Sequence, residues 1–216
     1  MSRRRHAAIL AAVFLTAAIV LGAALAQRGM MNGGYASGAR NGYGYGMMGG
    51  GATQGQPMTW SAAQQAIQNS APGATVNTTD NSLTFTGTRI HLNVIAVQPG
   101  KPDTTFEIGG LVDPTLHIPR GANVTLTLIN MDYGRDMPHG LVLTRQAPPY
   151  PYMGTGMMSG GNGIPPLAAR TTDNLQSATY TSGTLQFTAT TPGTYYYLCQ
   201  VPGHAQHGMY GKIVIE

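Results

Sequence analysis

The sequence predicts an all-β fold, a β-sandwich with one short helix at its N-terminal end. Three observations predict it. Short apolar runs rich in Val, Ile, Thr, Tyr and Leu recur between turn residues through the C-terminal two thirds of the chain. Val124, Leu126 and Leu128 alternate with Thr125 and Thr127, which gives one strand an apolar and a polar face. A single helix-like stretch, residues 61–69, precedes them and stops at Pro72-Gly73.

The elements follow in order. Residues 1–26 read as a signal peptide or signal anchor. Arg3-Arg4-Arg5 form a charged start, 7–26 is an apolar run of 20 residues, and Ala24-Leu25-Ala26 is a small-x-small cleavage site. Cleavage is the favoured reading; the run is also long enough to span a bilayer as a tether. Residues 27–57 read as a flexible linker, because a stretch dominated by glycine, tyrosine and methionine buries too little apolar area to offset its ordering entropy. The folded domain is expected over 58–216. Its helix is expected to start on a capping box of Ser61 and Gln64. Strands are expected at 82–86, 90–97, 104–108, 115–118, 123–130, 140–144, 184–188, 194–199 and 209–215. The Pro-, Gly- and Met-rich segment 146–169 reads as a long surface excursion.

Charge excludes one class of function. The formal net charge is +4, but five of the twelve basic residues precede residue 58 and all eight acidic residues follow it. The folded part is therefore close to neutral, and a basic groove for nucleic acid is not expected. The scarcity of carboxylates also suits an acidic compartment, since few groups need protonating as pH falls.

The chemistry concentrates in residues 194–209. Cys199, the single cysteine, ends one strand; Val201-Pro202-Gly203 make a turn; His204 follows; and Met209 opens the last strand. The spacing Cys-x4-His-x4-Met lets one loop fold three ligand types around a point. A second histidine must come from elsewhere, and His139, in Met137-Pro138-His139-Gly140 at a strand start, is the best candidate. A thiolate, two imidazoles and a weak axial thioether make a blue-copper electron-transfer site. Soft sulfur suits Cu(I) and imidazole suits Cu(II), so the expected cofactor is one type 1 copper cycling between the two. The other histidines are poorer ligands: His91 alternates with Ile90 and Leu92 and should face solvent, His117 sits beside Pro119 at a strand end, and His207 is placed in the loop as an exposed residue. Tyr195 and Tyr197 share a face with Cys199 and should pack toward the core.

At these residues the chain, from about Thr59 to its end, resembles rusticyanin and, more loosely, sulfocyanin, two groups of small blue-copper proteins. The match is carried by Gly193-Thr-Tyr-Tyr-Tyr-Leu-Cys-Gln-Val-Pro-Gly-His204 and Gly208-Met-Tyr-Gly-Lys-Ile-Val214, with weaker echoes in Asp113-Pro-Thr-Leu-His-Ile-Pro119 and in 124–130. The resemblance implies a cupredoxin-type Greek-key β-sandwich. It implies Cys199, His204 and Met209 as ligands from the loop and His139 from an earlier strand. It also implies respiratory electron transfer on the extracytoplasmic side, hence redox partners such as a c-type cytochrome or a terminal oxidase. The chain departs from rusticyanin at Gly140, where a hydrogen-bonding side chain is expected beside His139, and at Met153, Met157 and Met158, where a compact apolar segment is expected.

Two other functions compete. A multicopper oxidase needs histidines flanking its ligand cysteine, whereas Leu198 and Gln200 flank Cys199, and no His-x-His occurs. An electron carrier rather than an enzyme is therefore expected. Copper storage or delivery through the methionine-rich segments is the alternative, and it predicts several labile Cu(I) ions rather than one cycling copper.

Overall fold

The structure is a computed structural model that describes residues 52–134, 137–153 and 163–216, all within the compact unit Gly44–Glu216. The leader and most of the expected linker lie outside the described residues. Thirteen strands and one helix form among the described residues. Six strands build one sheet in the order β1 (Ala52–Met58), β11 (Tyr180–Thr188), β8 (Asn123–Asn130), β4 (Arg89–Ala96), β5 (Phe106–Ile108) and β6 (Leu111–Val112). Seven build the other in the order β10 (Gly163–Leu167), β9 (His139–Thr144), β12 (Gly193–Leu198), β13 (Tyr210–Ile215), β7 (Thr115–Ile118), β3 (Ser82–Thr84) and β2 (Thr75–Asn77). The expected all-β sandwich with one short helix is what forms.

The alternation in β8 explains the core. Val124, Leu126 and Leu128 are buried between the sheets, where they meet Leu92, Phe106 and Tyr197, while Thr125 and Thr127 are only half-buried on the outer face. Each such large apolar side chain stabilises the fold by roughly 1.5–3 kcal/mol. Toward its C-terminal end β8 is buried on both faces, because the helix α1 (Trp60–Gln68) covers the outer one. Ala63 packs there in a second cluster with Ile95, Ile129, Met131 and Tyr180. Tyr195, Tyr197 and Cys199 face the core as expected.

Several expected boundaries are corrected. The helix is capped by Thr59, two residues before Ser61: the Ala62 N–H donates to Thr59 Oγ1 at 3.3 Å. At its other end Asn93 of β4 donates through Nδ2 to the carbonyls of Ala66 and Asn69 at 3.2 and 3.0 Å. Residues 52–57, expected in the linker, belong to β1, which adds an edge to the sheet by pairing with β11. β10 lies inside the segment expected to be an excursion. It carries Pro165-Pro166, which lack N–H donors and are tolerated because β10 is an edge strand with an irregular register between Ile164 and Leu167. β5 starts at Phe106 rather than 104, since Thr104 sits in the left-handed region at φ +51°. Cys199 and Met209 fall one residue outside β12 and β13.

Candidate metal centre

Strand register sets up the loop that carries the candidate ligands. Leu198 faces Tyr210 across β12 and β13, so Cys199 and Met209 meet at the mouth of the loop. The Cys199 N–H donates to the Met209 carbonyl at 3.0 Å and closes it. Inside, the Met209 N–H donates to the His204 carbonyl at 3.0 Å, and the His204 N–H donates to the Val201 carbonyl at 3.1 Å. Gly203 and Gly208 take φ +85° and +107°, turns that a Cβ would strain. Ala205 anchors the loop from outside, buried with Val142, Tyr150 and Leu198. β9 pairs with the opposite edge of β12, Val142 facing Leu198. Because the two run antiparallel, His139 at the head of β9 reaches past the end of β12 to the same point.

The three donor atoms converge. Cys199 Sγ lies 3.8 Å from His139 Nδ1 and 3.5 Å from His204 Nδ1, and the two nitrogens are 3.2 Å apart. A triangle with these sides has a centre about 2 Å from every corner, close to the length of a metal bond to imidazole nitrogen or thiolate sulfur. Among the described residues no other cluster brings three such groups together. His139, Cys199 and Met209 are fully buried, and His204 is half-buried. Met209 packs in the same core cluster as Cys199. A nitrogen pair, a thiol and a neighbouring thioether in an apolar pocket suit copper and do not suit magnesium or calcium, which take oxygen ligands.

Electrostatics favour the same occupant. Burial lowers the pKa of His139, with Asp132 opposing, and lowers that of His204, helped by the neighbouring His139. Both imidazoles are thereby biased to the neutral form that binds metal. Burial pushes the Cys199 thiol up to about 11, while N–H groups of Val201 and Gly140 donate to the sulfur and oppose the rise. A metal ion must therefore displace a tightly held proton from Cys199.

The rival histidines are elsewhere. His91 is exposed on β4, His207 is exposed in the loop, and His117 Nδ1 is 3.1 Å from the Glu216 carboxylate. Two features escaped the sequence reading. Asp132 Oδ2 sits 2.9 Å from His139 Nε2, a contact with no local motif to announce it. Gly140 is small for a steric reason. A Cβ there would lie 2.9 Å from the Ile164 carbonyl oxygen and 2.6 Å from Gln200 Nε2, which itself donates to that carbonyl at 2.9 Å. A larger residue beside His139 would push β10 off β9. Of the methionines in the excursion, Met153 is exposed; Met157 and Met158 lie outside the described residues.

Comparison with known proteins agrees with this geometry. The Sulfocyanin (SoxE) domain family matches residues 77–216. Rusticyanin from Acidithiobacillus ferrooxidans is 36% identical over 139 residues, covering 63% of this chain and 68% of that one. Rusticyanin from Acidithiobacillus ferridurans is 37% identical over 139 residues, with the same coverage of 63% and 68%. The 1.27 Å structure of rusticyanin from Thiobacillus ferrooxidans superposes with a TM-score of 0.64 at 33% identity, covering 76% of this chain and 98% of that one. Reduced rusticyanin at 1.9 Å gives a TM-score of 0.63 at 33% identity, covering 75% and 99%. The all-β sandwich is thus the cupredoxin fold, and the donor set fits a single type 1 copper. The chain belongs to the rusticyanin and sulfocyanin family of blue-copper proteins, which are electron carriers and not enzymes.

Proposed function

We propose that this chain carries single electrons between exported or membrane-bound redox partners of a respiratory chain, with His139, Cys199, His204 and Met209 as the copper ligands. The observation that carries the reading is the triangle of Cys199 Sγ and the two Nδ1 atoms, with Met209 buried beside it. Copper bound there supplies the one-electron couple. The chain supplies a donor set acceptable to both oxidation states, locked by buried packing so that little must move on electron transfer. The half-buried His204 is the proposed edge for electron exchange. Around it lie Tyr152, whose carbonyl accepts the Gly203 N–H, and Met153; Met137 and Tyr133 flank His139 and Asp132. These four are exposed apolar side chains, and a small apolar face suits the brief, low-area contacts of redox partners. A c-type cytochrome or a terminal oxidase is the proposed kind of partner. Residues 1–26 are the proposed export signal, or a tether through 7–26. The proposed site is thus extracytoplasmic.

The test is an absorption spectrum of the full chain, copper-loaded and oxidised, then treated with ascorbate. The expected result is one copper per chain and an intense thiolate-to-copper band in the red that bleaches on reduction and returns on oxidation. Cys199→Ala is expected to abolish it. A colourless chain that binds several Cu(I) ions without cycling would transfer the proposal to copper storage or delivery through the methionine-rich segments.

A further inference from the structure

We infer that Asp132 is a positioning residue for His139, and that its carboxylate biases the bound copper toward the oxidised state. The inference rests on the proposed ligand role of His139.

The imidazole has two nitrogens with separate tasks. Nδ1 faces Cys199 Sγ and His204 Nδ1 at 3.8 and 3.2 Å, and Nε2 faces Asp132 Oδ2 at 2.9 Å. A neutral imidazole carries one N–H. With the Nδ1 lone pair turned to the site, that hydrogen sits on Nε2 and donates to Asp132. The carboxylate therefore selects the tautomer as well as the ring orientation.

Asp132 is itself held rigidly. Its Oδ1 accepts the Tyr133 N–H at 2.7 Å, and its own N–H donates to Asn130 Oδ1 at 3.0 Å. Its carbonyl accepts the Arg170 N–H at 2.9 Å. Asn130 is fully buried and donates through Nδ2 to the carbonyls of Met137 and Leu167 at 3.1 and 2.9 Å. One amide side chain thus clasps both ends of the segment between Asp132 and His139 and ties it to β10.

Its charge is not neutralised nearby. The Asp132 side chain is 13% exposed, and among the described residues its only ion-pair partner is His139. The guanidinium of Arg170 is close in space but engaged with other groups. It donates to the carbonyls of Met131, Thr172 and Asp173 and stacks over the Tyr133 ring. A carboxylate accepting the Nε2–H draws that proton toward itself and raises electron density at Nδ1. The more highly charged copper state gains more from this than the lower one. An amide in the same place would accept the same hydrogen bond without the charge.

A control is built into the site. Asp103 also acts electrostatically on both His139 and His204, but it is exposed and water screens it.

The experiment compares the full chain with D132N, D132A and D103N by reduction potential, blue-band spectrum, copper release rate and melting temperature. D132N is expected to keep the blue band and the melting temperature but to lose about 10- to 100-fold of its preference for the oxidised copper. For a one-electron couple that is an upward shift of about 60 mV for each factor of ten. D132A is expected to show the same upward shift together with faster copper release and entry of azide, because the ring is no longer held. D103N is expected to move the potential less than D132N. A potential for D132N equal to that of the parent, or moved no further than that of D103N, would overturn the inference. A parent chain that never turns blue with copper would instead overturn the ligand assignment; a blue parent with an unmoved D132N overturns only the role of Asp132.

Discussion

Asp113 makes the stability of this fold depend on pH in the direction opposite to most paired carboxylates. It lies between β6 and β7, half-buried, with its backbone in the left-handed region at φ +47°. It exchanges contacts with Phe106 twice: its Oδ1 accepts the Phe106 N–H at 3.0 Å, and its own N–H donates to the Phe106 carbonyl at 2.8 Å. Burial raises its pKa from 3.8 to about 7, with the Phe106 N–H opposing. The folded state therefore keeps the proton up to about pH 7, whereas the unfolded chain releases it near 3.8. Between those values the folded state binds more protons, so stability is full in acid and falls as pH rises toward 7. A shift of about three units corresponds to a ceiling of about 4 kcal/mol. Asp113→Asn keeps the acceptor for Phe106, removes the ionisation, and suits the left-handed backbone equally well. The assay is urea unfolding of the copper-free chain from pH 4 to 8, so that metal affinity adds no pH dependence of its own. The expected result is near-equal stability at pH 4 and a variant more stable than the parent by about 2–4 kcal/mol at pH 7.5. Glu107, whose pKa is also raised by burial, remains in both chains and cancels in the difference. Parallel profiles, or a variant that is the weaker of the two at pH 7.5, would refute the reasoning.

Three other outcomes are expected. Gly211→Ala drives a Cβ into the Oη and Cζ atoms of Tyr197, whose hydroxyl donates to the Pro114 carbonyl at 2.7 Å; thermal unfolding is expected to register a loss of about 1–3 kcal/mol. Asn93→Ala removes both side-chain hydrogen bonds to the end of α1, and denaturant titration is expected to show a loss of about 1–2 kcal/mol with the copper spectrum unchanged. His139→Ala is expected to open the site to added imidazole or azide, whereas His91→Ala leaves the blue spectrum as it was; the reverse pattern, read by absorption, would move the second imidazole to His91.

What could be read from the sequence was what is local. Cys199, His204 and Met209 fall within one loop, so their spacing alone announces a ligand set, and β8 reveals its two faces by alternation. His139 was reachable by elimination, since the other histidines had ordinary explanations. Asp132 and Asn130 were not reachable. They are polar residues at the end of an apolar strand, and only the turn from β8 to β9 brings one onto His139 and buries the other completely. β1 and β10 escaped for a related reason. Their sequences are poor strand formers, Gly- and Pro-bearing respectively, and each becomes a strand only because a neighbour offers it an edge. The cap at Thr59 was missed by two residues because Ser61 offers the same hydroxyl chemistry and sequence alone does not choose between them.

The placement of Asn130, Asp132 and His139 has a mechanical meaning. β8 belongs to one sheet and β9 to the other, so the connection between them is where the chain crosses the sandwich. A site built only from the loop after Cys199 would move with that loop. Here one imidazole enters from the head of β9, where the crossing segment ends, and Asn130 fixes that segment at Met137 and ties it to Leu167 of β10. The distance between His139 and Cys199 is set within the seven-stranded sheet by the pairing of β9 with β12, while Asp132 and Asn130 reach the His139 end from the other sheet. Strain that separates the sheets pulls on the Asn130 clasp and on the Asp132 contact to His139, and so loosens the ring before it exposes the core. Loss of copper or of its colour should therefore be an earlier sign of a weakened clasp than loss of β-structure, and a substitution that removes no ligand, such as Asn130→Ala, should be read first in the spectrum.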